Sequence, residues 1–168
     1  MNDAALALPP LVSERPQDAP AVDRLIGRAF GPGRYAKTAE RLREGNRPIL
    51  PLCLVAREAG EIVGCVRLWP VSIGERPAIL LGPFAVDPDF RNQGLGAALI
   101  TGACEVAAAA GHDLVILVGD EPYFGPLGFA AAPAGAVRLP GPVDQRRVLV
   151  RALKPGADAG LAGPVAIP

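Results

Sequence analysis

The chain has one histidine, one tryptophan and three cysteines in 168 residues. Zinc sites need close cysteine pairs with further ligands, and Cys53, Cys65, Cys104 and His112 are too scattered to point to a metal. An odd number of thiols, each in an apolar segment, argues against a disulfide framework. It reads as three small hydrophobes in a reducing compartment. No histidine stands in a recognisable arrangement with any of them, which counts against a cysteine nucleophile. Net charge is lacking as well: 17 basic residues balance 17 acidic ones, with the basic residues spread along the chain. Such a chain has no electrostatic footprint for nucleic acid or for an anionic membrane surface. Long apolar runs are missing too. The stretch from Ala4 to Val12 has no basic flank and is broken by Pro9-Pro10, unlike a signal peptide. The apolar run after Gly94 is interrupted by Glu105, so it is no membrane span. A cytoplasmic protein is the expectation.

Half of the residues are hydrophobic, enough for one compact domain with a sizeable core. That domain is expected over residues 1–153. Residues 154–168, rich in Pro, Gly and Ala, are expected to be a flexible tail.

Periodicity gives the order of elements. Residues 11–15 read as a short strand. Val22, Leu25, Ile26, Ala29 and Phe30 recur at helical spacing until Gly31-Pro32-Gly33 stops them, and a more polar helix is expected over residues 34–44. Residues 52–57 and 62–69 form an antiparallel hairpin around Gly60. The apolar strand over residues 78–86 contains Gly82-Pro83, which suggests a bulge, because proline cannot donate to a ladder. Leu95, Leu99, Ala103, Val106 and Ala110 mark a helix capped by Gly111, followed by a buried strand over residues 113–119. A short helix over residues 120–127 and strands from Phe129 and over residues 147–153 complete the series.

The segment Arg91-Asn92-Gln93-Gly94-Leu95-Gly96-Ala97 carries the chemistry. Glycines leading into a helix let the backbone approach phosphates, and the unpaired N–H groups of the first turn point at them. Arg91 adds a positive charge. On its own the loop is also compatible with close helix–sheet packing. A dinucleotide fold would need a third glycine where Leu99 stands, and a phosphate-binding NTPase loop would need Gly-Lys-Ser/Thr. Both nucleotide readings fail on spacing.

Phe84-Ala85-Val86-Asp87-Pro88-Asp89-Phe90-Arg91-Asn92-Gln93-Gly94-Leu95-Gly96 resembles the central signature of the GNAT superfamily of N-acetyltransferases: a bulged strand followed by Arg/Gln-x-x-Gly-x-Gly/Ala. Tyr123-Phe124-Gly125-Pro126-Leu127-Gly128-Phe129 is similar to the family's second landmark, an aromatic pair shortly before Gly-Phe. The element order agrees over residues 11–153, and the pattern looks like that of the small bacterial, YhbS-like members. The resemblance implies an α/β (α+β) fold: a mixed, mostly antiparallel central sheet with a splayed strand pair and about four flanking helices.

It also implies acetyl-CoA as cosubstrate, with no metal, and direct transfer of acetyl to a primary amine of a small molecule or protein. Carried over by position, the backbone of Phe84, Ala85 and Val86 meets the pantetheine arm, with the Phe84 amide facing the thioester oxygen. The residues from Arg91 to Ala97 hold the pyrophosphate, and Tyr123 and Phe124 flank the thioester. The family's thiolate-protonating tyrosine usually stands five residues before the last Phe. Here Phe124 occupies that position and Tyr123 precedes it, so Tyr123 is the candidate acid and a packed aromatic is the alternative. Asp120 and Glu121, after the strand, are candidates for base or amine-orienting group, or else a helix cap and a solvated charge. His112 reads as a surface histidine. Arg67 and Trp69 would line the acceptor pocket, or be an exposed charge and a core edge. The acceptor is expected to be read by the first two helices and their connection. Homodimers are common in the family. An acyl-CoA-binding regulatory domain without catalysis is the rival reading, motivated by Phe124.

Overall fold

The computed structural model describes residues 7–168, so the first residues of the Ala4 to Val12 stretch lie outside the described part. The strands are β1 (Leu11–Ser13), β2 (Leu54–Glu58), β3 (Glu61–Ile73), β4 (Arg76–Val86), β5 (Leu114–Val118), β6 (Ala130–Ala131), β7 (Val137–Arg138), β8 (Val148–Ala152) and β9 (Gly163–Ala166). Three α-helices are present among the described residues: α1 (Ala19–Phe30), α2 (Leu95–Ala109) and α3 (Glu121–Phe124). No helix among these residues is long and apolar enough to cross a membrane.

The sheet runs β1-β2-β3-β4-β5-β8-β6, antiparallel throughout except for β4 and β5. That parallel pair is joined through α2, as a parallel connection requires a crossover. α2 covers one face. Its buried Leu95, Leu99, Ile100 and Ala103 pack on Val66, Leu68, Ile79, Leu81, Val115 and Leu117. The alternate residues of the same strands form the other face. There Val22, Leu25 and Ile26 of α1 meet Val55, Cys65 and Ala85, while Trp69, Leu80, Leu114, Ile116 and Val150 form a second cluster. The strand period of two thus builds both layers.

The expected bulge is real, and it changes which residues face α2. Val66 pairs with Phe84 and Leu68 with Leu81, so Gly82 and Pro83 oppose Arg67 alone. Before this point the odd residues Ile79 and Leu81 face α2; after it the even residues Phe84 and Val86 do. One extra residue has moved the end of β4 to the opposite phase. Trp69 Nε1 donates to Gly82 O at 2.6 Å from the α1 side.

Two expectations are corrected. Residues 34–44 do not form a fourth helix: they make two short 3₁₀ segments, Pro32–Ala36 and Thr38–Leu42. Their sequence has one side chain, Leu42, that is buried, so packing gives no apolar stripe to extend a helical rod. The expected tail is also ordered into the fold. β9 pairs with the end of β3 at Ser72 and Ile73 and with β7, and Leu161 and Val165 are buried in the second cluster. Two bulky residues in a Gly- and Ala-rich segment are enough to anchor it.

β3 is longer than its partner β2, and its outer side is covered piece by piece. Ile49 N–H donates to Leu68 O, Leu68 N–H donates to Cys53 Sγ, Asn46 Nδ2 donates to Pro70 O, and β9 takes the last residues.

Candidate functional site

β4 and β5 are held together by two residue pairs, Ile79 with Val115 and Leu80 with Ile116. Beyond Leu80 the strands part. Asp87 N–H donates back to Val63 O on β3 at 2.8 Å. By the two-residue repeat Ala85 shares that side, and the amides of Phe84 and Val86 point to the side that β5 leaves open. A free strand edge therefore runs down one wall of a cleft.

At one end of the cleft lies the glycine loop. Asn92 and Gly94 have φ of 64° and 84°, the left-handed conformations that turn the chain into α2. Ala98 N–H is the first helical donor to find a carbonyl, Gly94 O at 3.0 Å, so the amides of the preceding turn project free of the helix. Residues 91–94 are exposed around that point. Nothing lies within 4 Å of a β-carbon built on Gly94. Gly96 is different: a β-carbon there would come within 2.8 Å of the Tyr123 hydroxyl and 3.5 Å of the Phe84 ring. Glycine at this position lets the helix start close to the aromatic cluster.

That cluster joins the predicted landmarks. The Tyr123 ring stacks on Phe84 with centroids 6.2 Å apart and planes 14° apart, and Phe124 meets both rings edge-on. Phe124 is buried and also packs on Phe129, while Tyr123 is 45 % exposed and faces the cleft. The order Tyr-Phe thus places the phenol in the cleft and the phenyl in the core. Partial burial pushes the Tyr123 hydroxyl up, so it stays protonated at neutral pH.

A cavity of about 720 Å³ occupies the opening between β4 and β5. Gly82, Pro83, Phe84, Asp120 and Tyr123 form its inner wall. The outer wall was not predicted in detail. It consists of Arg34, Lys37, Glu40 and Arg43 from the two 3₁₀ segments and their end, together with residues 142–144 and Arg147. The two loops meet where the Thr38 hydroxyl donates to Pro142 O. The first of them is the segment expected to read the acceptor. The second gave no signal, because residues 139–147 have no periodicity and touch the cleft only through chain reversal.

The remaining candidates separate. Asp120 lines the cavity, and its carboxylate accepts from Arg147 Nε at 3.1 Å rather than capping α3. Glu121 is exposed and is not part of the cavity wall. Arg67 is no surface charge: it donates to buried Glu14 at 2.8 and 3.2 Å and to Asp23 at 2.9 Å. With Trp69 it lines a smaller polar hollow of about 250 Å³ behind the bulge. All three thiols are free and buried, and burial pushes Cys53 and Cys65 up to about 12.

Comparison with known proteins agrees with this layout. Residues 20–125 match the family described as Acetyltransferase (GNAT). An uncharacterized N-acetyltransferase, YhbS of Escherichia coli K12, is 32 % identical over 153 residues, covering 89 % of this chain and 90 % of its own. The crystal structure of YhbS from E. coli in complex with CoA superposes with a TM-score of 0.82 at 31 % identity, over 100 % of this chain and 93 % of the other. A GNAT family acetyltransferase from Brucella melitensis in complex with acetyl-CoA gives 0.69 at 26 % identity, over 95 % of each chain.

Proposed function

The chain belongs to the acetyltransferase (GNAT) family, and from that premise we propose that it moves the acetyl group of acetyl-CoA to a primary amine by direct attack in a ternary complex. The observation that carries this is the parting of β4 from β5 beyond Leu80, which leads from the cavity to the glycine loop. A pantetheine arm pairs there with the free amides of Phe84 and Val86, as a substitute strand. The pyrophosphate sits on the amides from Arg91 to Ala97, where the helix dipole and close backbone favour an anion. Similar proteins bound to CoA and acetyl-CoA support the same occupant.

In this reading the Phe84 N–H stabilises the tetrahedral oxyanion, a role that needs a fixed donor aimed at developing charge. A lysine-like amine has a pKa near 10.4, so at pH 7 only about one in 10³ molecules is unprotonated. Of the cavity carboxylates Glu40, Asp120 and Asp144, Asp120 follows the strand that parts from β4 and is the one assigned to hold the ammonium or take its proton, directly or through water. Tyr123 gives its proton to the leaving thiolate. An acetyl-cysteine intermediate is disfavoured, since every thiol is buried and Cys53 and Cys65 are pushed up to about 12. An acetyl-CoA user with three unpaired thiols suits the reducing cytoplasm.

The test is release of free thiol from acetyl-CoA across a panel of amines and amino-terminal peptides. Turnover with an amine, and initial rates intersecting rather than parallel when both substrates vary, is the expected result. Tight acetyl-CoA binding without turnover on any acceptor would instead favour a CoA-binding regulatory domain.

A further inference from the structure

Resting on the acetyl-transfer reading, we propose that the acceptor amine carries a carboxylate one to three carbons away, and that Arg43 is the residue that recognises it.

Arg43 ends the second 3₁₀ segment and reaches into the cavity beside the bulge. Its side chain is 13 % exposed. Nη1 donates to Glu40 Oε2 at 3.0 Å, and Glu40 is equally enclosed. The rest of the guanidinium is not used by the fold. Nε is buried and finds no acceptor among the described residues. Nη2 faces the bulge, 3.1 Å from where a β-carbon on Gly82 would stand. Buried polar groups are nearly always partnered, so an arginine kept here with donors to spare calls for an explanation. Burial also works against its charge more strongly than Glu40 supports it, and a second anion would offset that.

The surrounding charge favours an anion as well. Among the described residues, the cavity carboxylates are each engaged by arginine: Glu40 by Arg43, Asp144 by Arg146 and Asp120 by Arg147. Among the described residues Arg34 and Lys37, in the same wall, form no ion pair, and they rest on the rings of Tyr35 and Phe30. The cavity therefore presents uncompensated positive charge. An acceptor that carries a carboxylate gains from it, and the matching amide does not.

Position bounds the spacing. Gly82 lies two residues before Phe84 across the bulge, with a cis peptide before Pro83. Two residues of chain set their Cα atoms at most about 7 Å apart. An amine placed to attack a thioester held at the Phe84 amide thus has the unengaged Nη2 of Arg43 in the same part of the cavity. A guanidinium matches a carboxylate in that role better than an ammonium would.

The experiment compares glycine, β-alanine, γ-aminobutyrate and larger α-amino acids with their amides. Free-thiol release gives turnover, and titration into the CoA-loaded protein gives binding without turnover. The carboxylates are expected to show at least tenfold higher kcat/KM and tighter binding than the matching amides. Arg43→Gln should collapse that preference to within about threefold through the acceptor KM, leaving the KM for acetyl-CoA unchanged. Arg43→Lys should restore part of it. The double variant Glu40→Gln with Arg43→Gln removes the unpaired carboxylate if the single one folds poorly. Equal binding of acids and amides, or a preference that survives in the folded double variant, overturns the proposal. Binding of the acids with no turnover on any acceptor sinks the acetyl-transfer reading and leaves the anion subsite standing.

Discussion

The indole N–H of Trp69 holds the carbonyl of Gly82 at 2.6 Å, which fixes the bulge from the side away from α2. Removing this donor leaves a buried carbonyl unsatisfied at a cost of about 1–3 kcal/mol. Trp69→Phe should therefore lower Tm by several degrees and reduce kcat/KM, since the bulge sets the phase of Phe84. Thermal melting and steady-state kinetics read the two effects. If the variant melts and turns over as the parent does, the indole does not position the bulge.

The glycine loop can be tested without disturbing the core. Gly94 is exposed at a φ of 84°, with nothing near a built β-carbon. Gly94→Glu costs about 1 kcal/mol for its left-handed backbone, but it sets a carboxylate where the pyrophosphate should lie. CoA affinity measured by calorimetry should fall at least tenfold while the circular dichroism spectrum is unchanged. A folded variant with normal affinity would falsify the loop assignment.

Tyr123→Phe keeps the ring that stacks on Phe84 and removes the hydroxyl over Gly96. Turnover should drop at least tenfold with little change in acetyl-CoA binding. The loss should be smaller with an acyl donor whose thiol is more acidic, because such a thiolate leaves without a proton. Unchanged turnover would assign the protonation to water.

Much of this site was legible because its parts are written locally. Gly82-Pro83 signals a bulge by removing a ladder donor, and the glycine spacing from Arg91 to Ala97 signals a turn that leads into a helix with its first amides free. The consequence of the bulge for side-chain phase was not legible, since alternation on each side of it looks regular and the slip is known only once Leu81 and Phe84 are both placed against α2. Arg43 was hidden for another reason. Residues 34–44 show polar spacing that resembles a surface helix, and only the 3₁₀ path turns Arg43 inward. β9 was missed because two anchoring residues, Leu161 and Val165, are diluted among Gly and Ala.

Acid stability should depend on Asp18. Burial works to raise its pKa, but hydrogen bonds from Arg57 Nη2 at 2.6 Å and Arg15 N–H at 2.8 Å outweigh this and hold the carboxyl at about 2. A pKa depressed on folding adds stability above the unfolded value near 3.9, and that stability is lost as pH falls toward 2. Asp18→Asn should lower Tm at pH 7, by an amount on the order of 5 °C, and flatten the fall in stability between about pH 4 and pH 2. A variant with the same acid transition as the parent would place that titration elsewhere.

The thiols give a check on direct transfer. With Cys53 and Cys65 pushed up to about 12 by burial, their thiolate fraction at pH 8 is about 10⁻⁴. Ellman's reagent should titrate less than one thiol in the native protein and three after denaturation. Rapid native reaction, with acetyl recovered on a cysteine, would replace the ternary complex by a two-step route.

The piecewise cover along β3 bears on how copies of this chain can meet. Exposed strand edges are the usual template for joining sheets between molecules. Here the long strand has its outward groups engaged by Ile49, Cys53, Asn46 and β9. The path ends on β1 and β6, of three and two residues. Intermolecular strand addition would gain only a couple of backbone bonds at either end, so the ends of the sheet are protected by their shortness rather than by charge, and the free edge left on β4 is the one that faces the cleft.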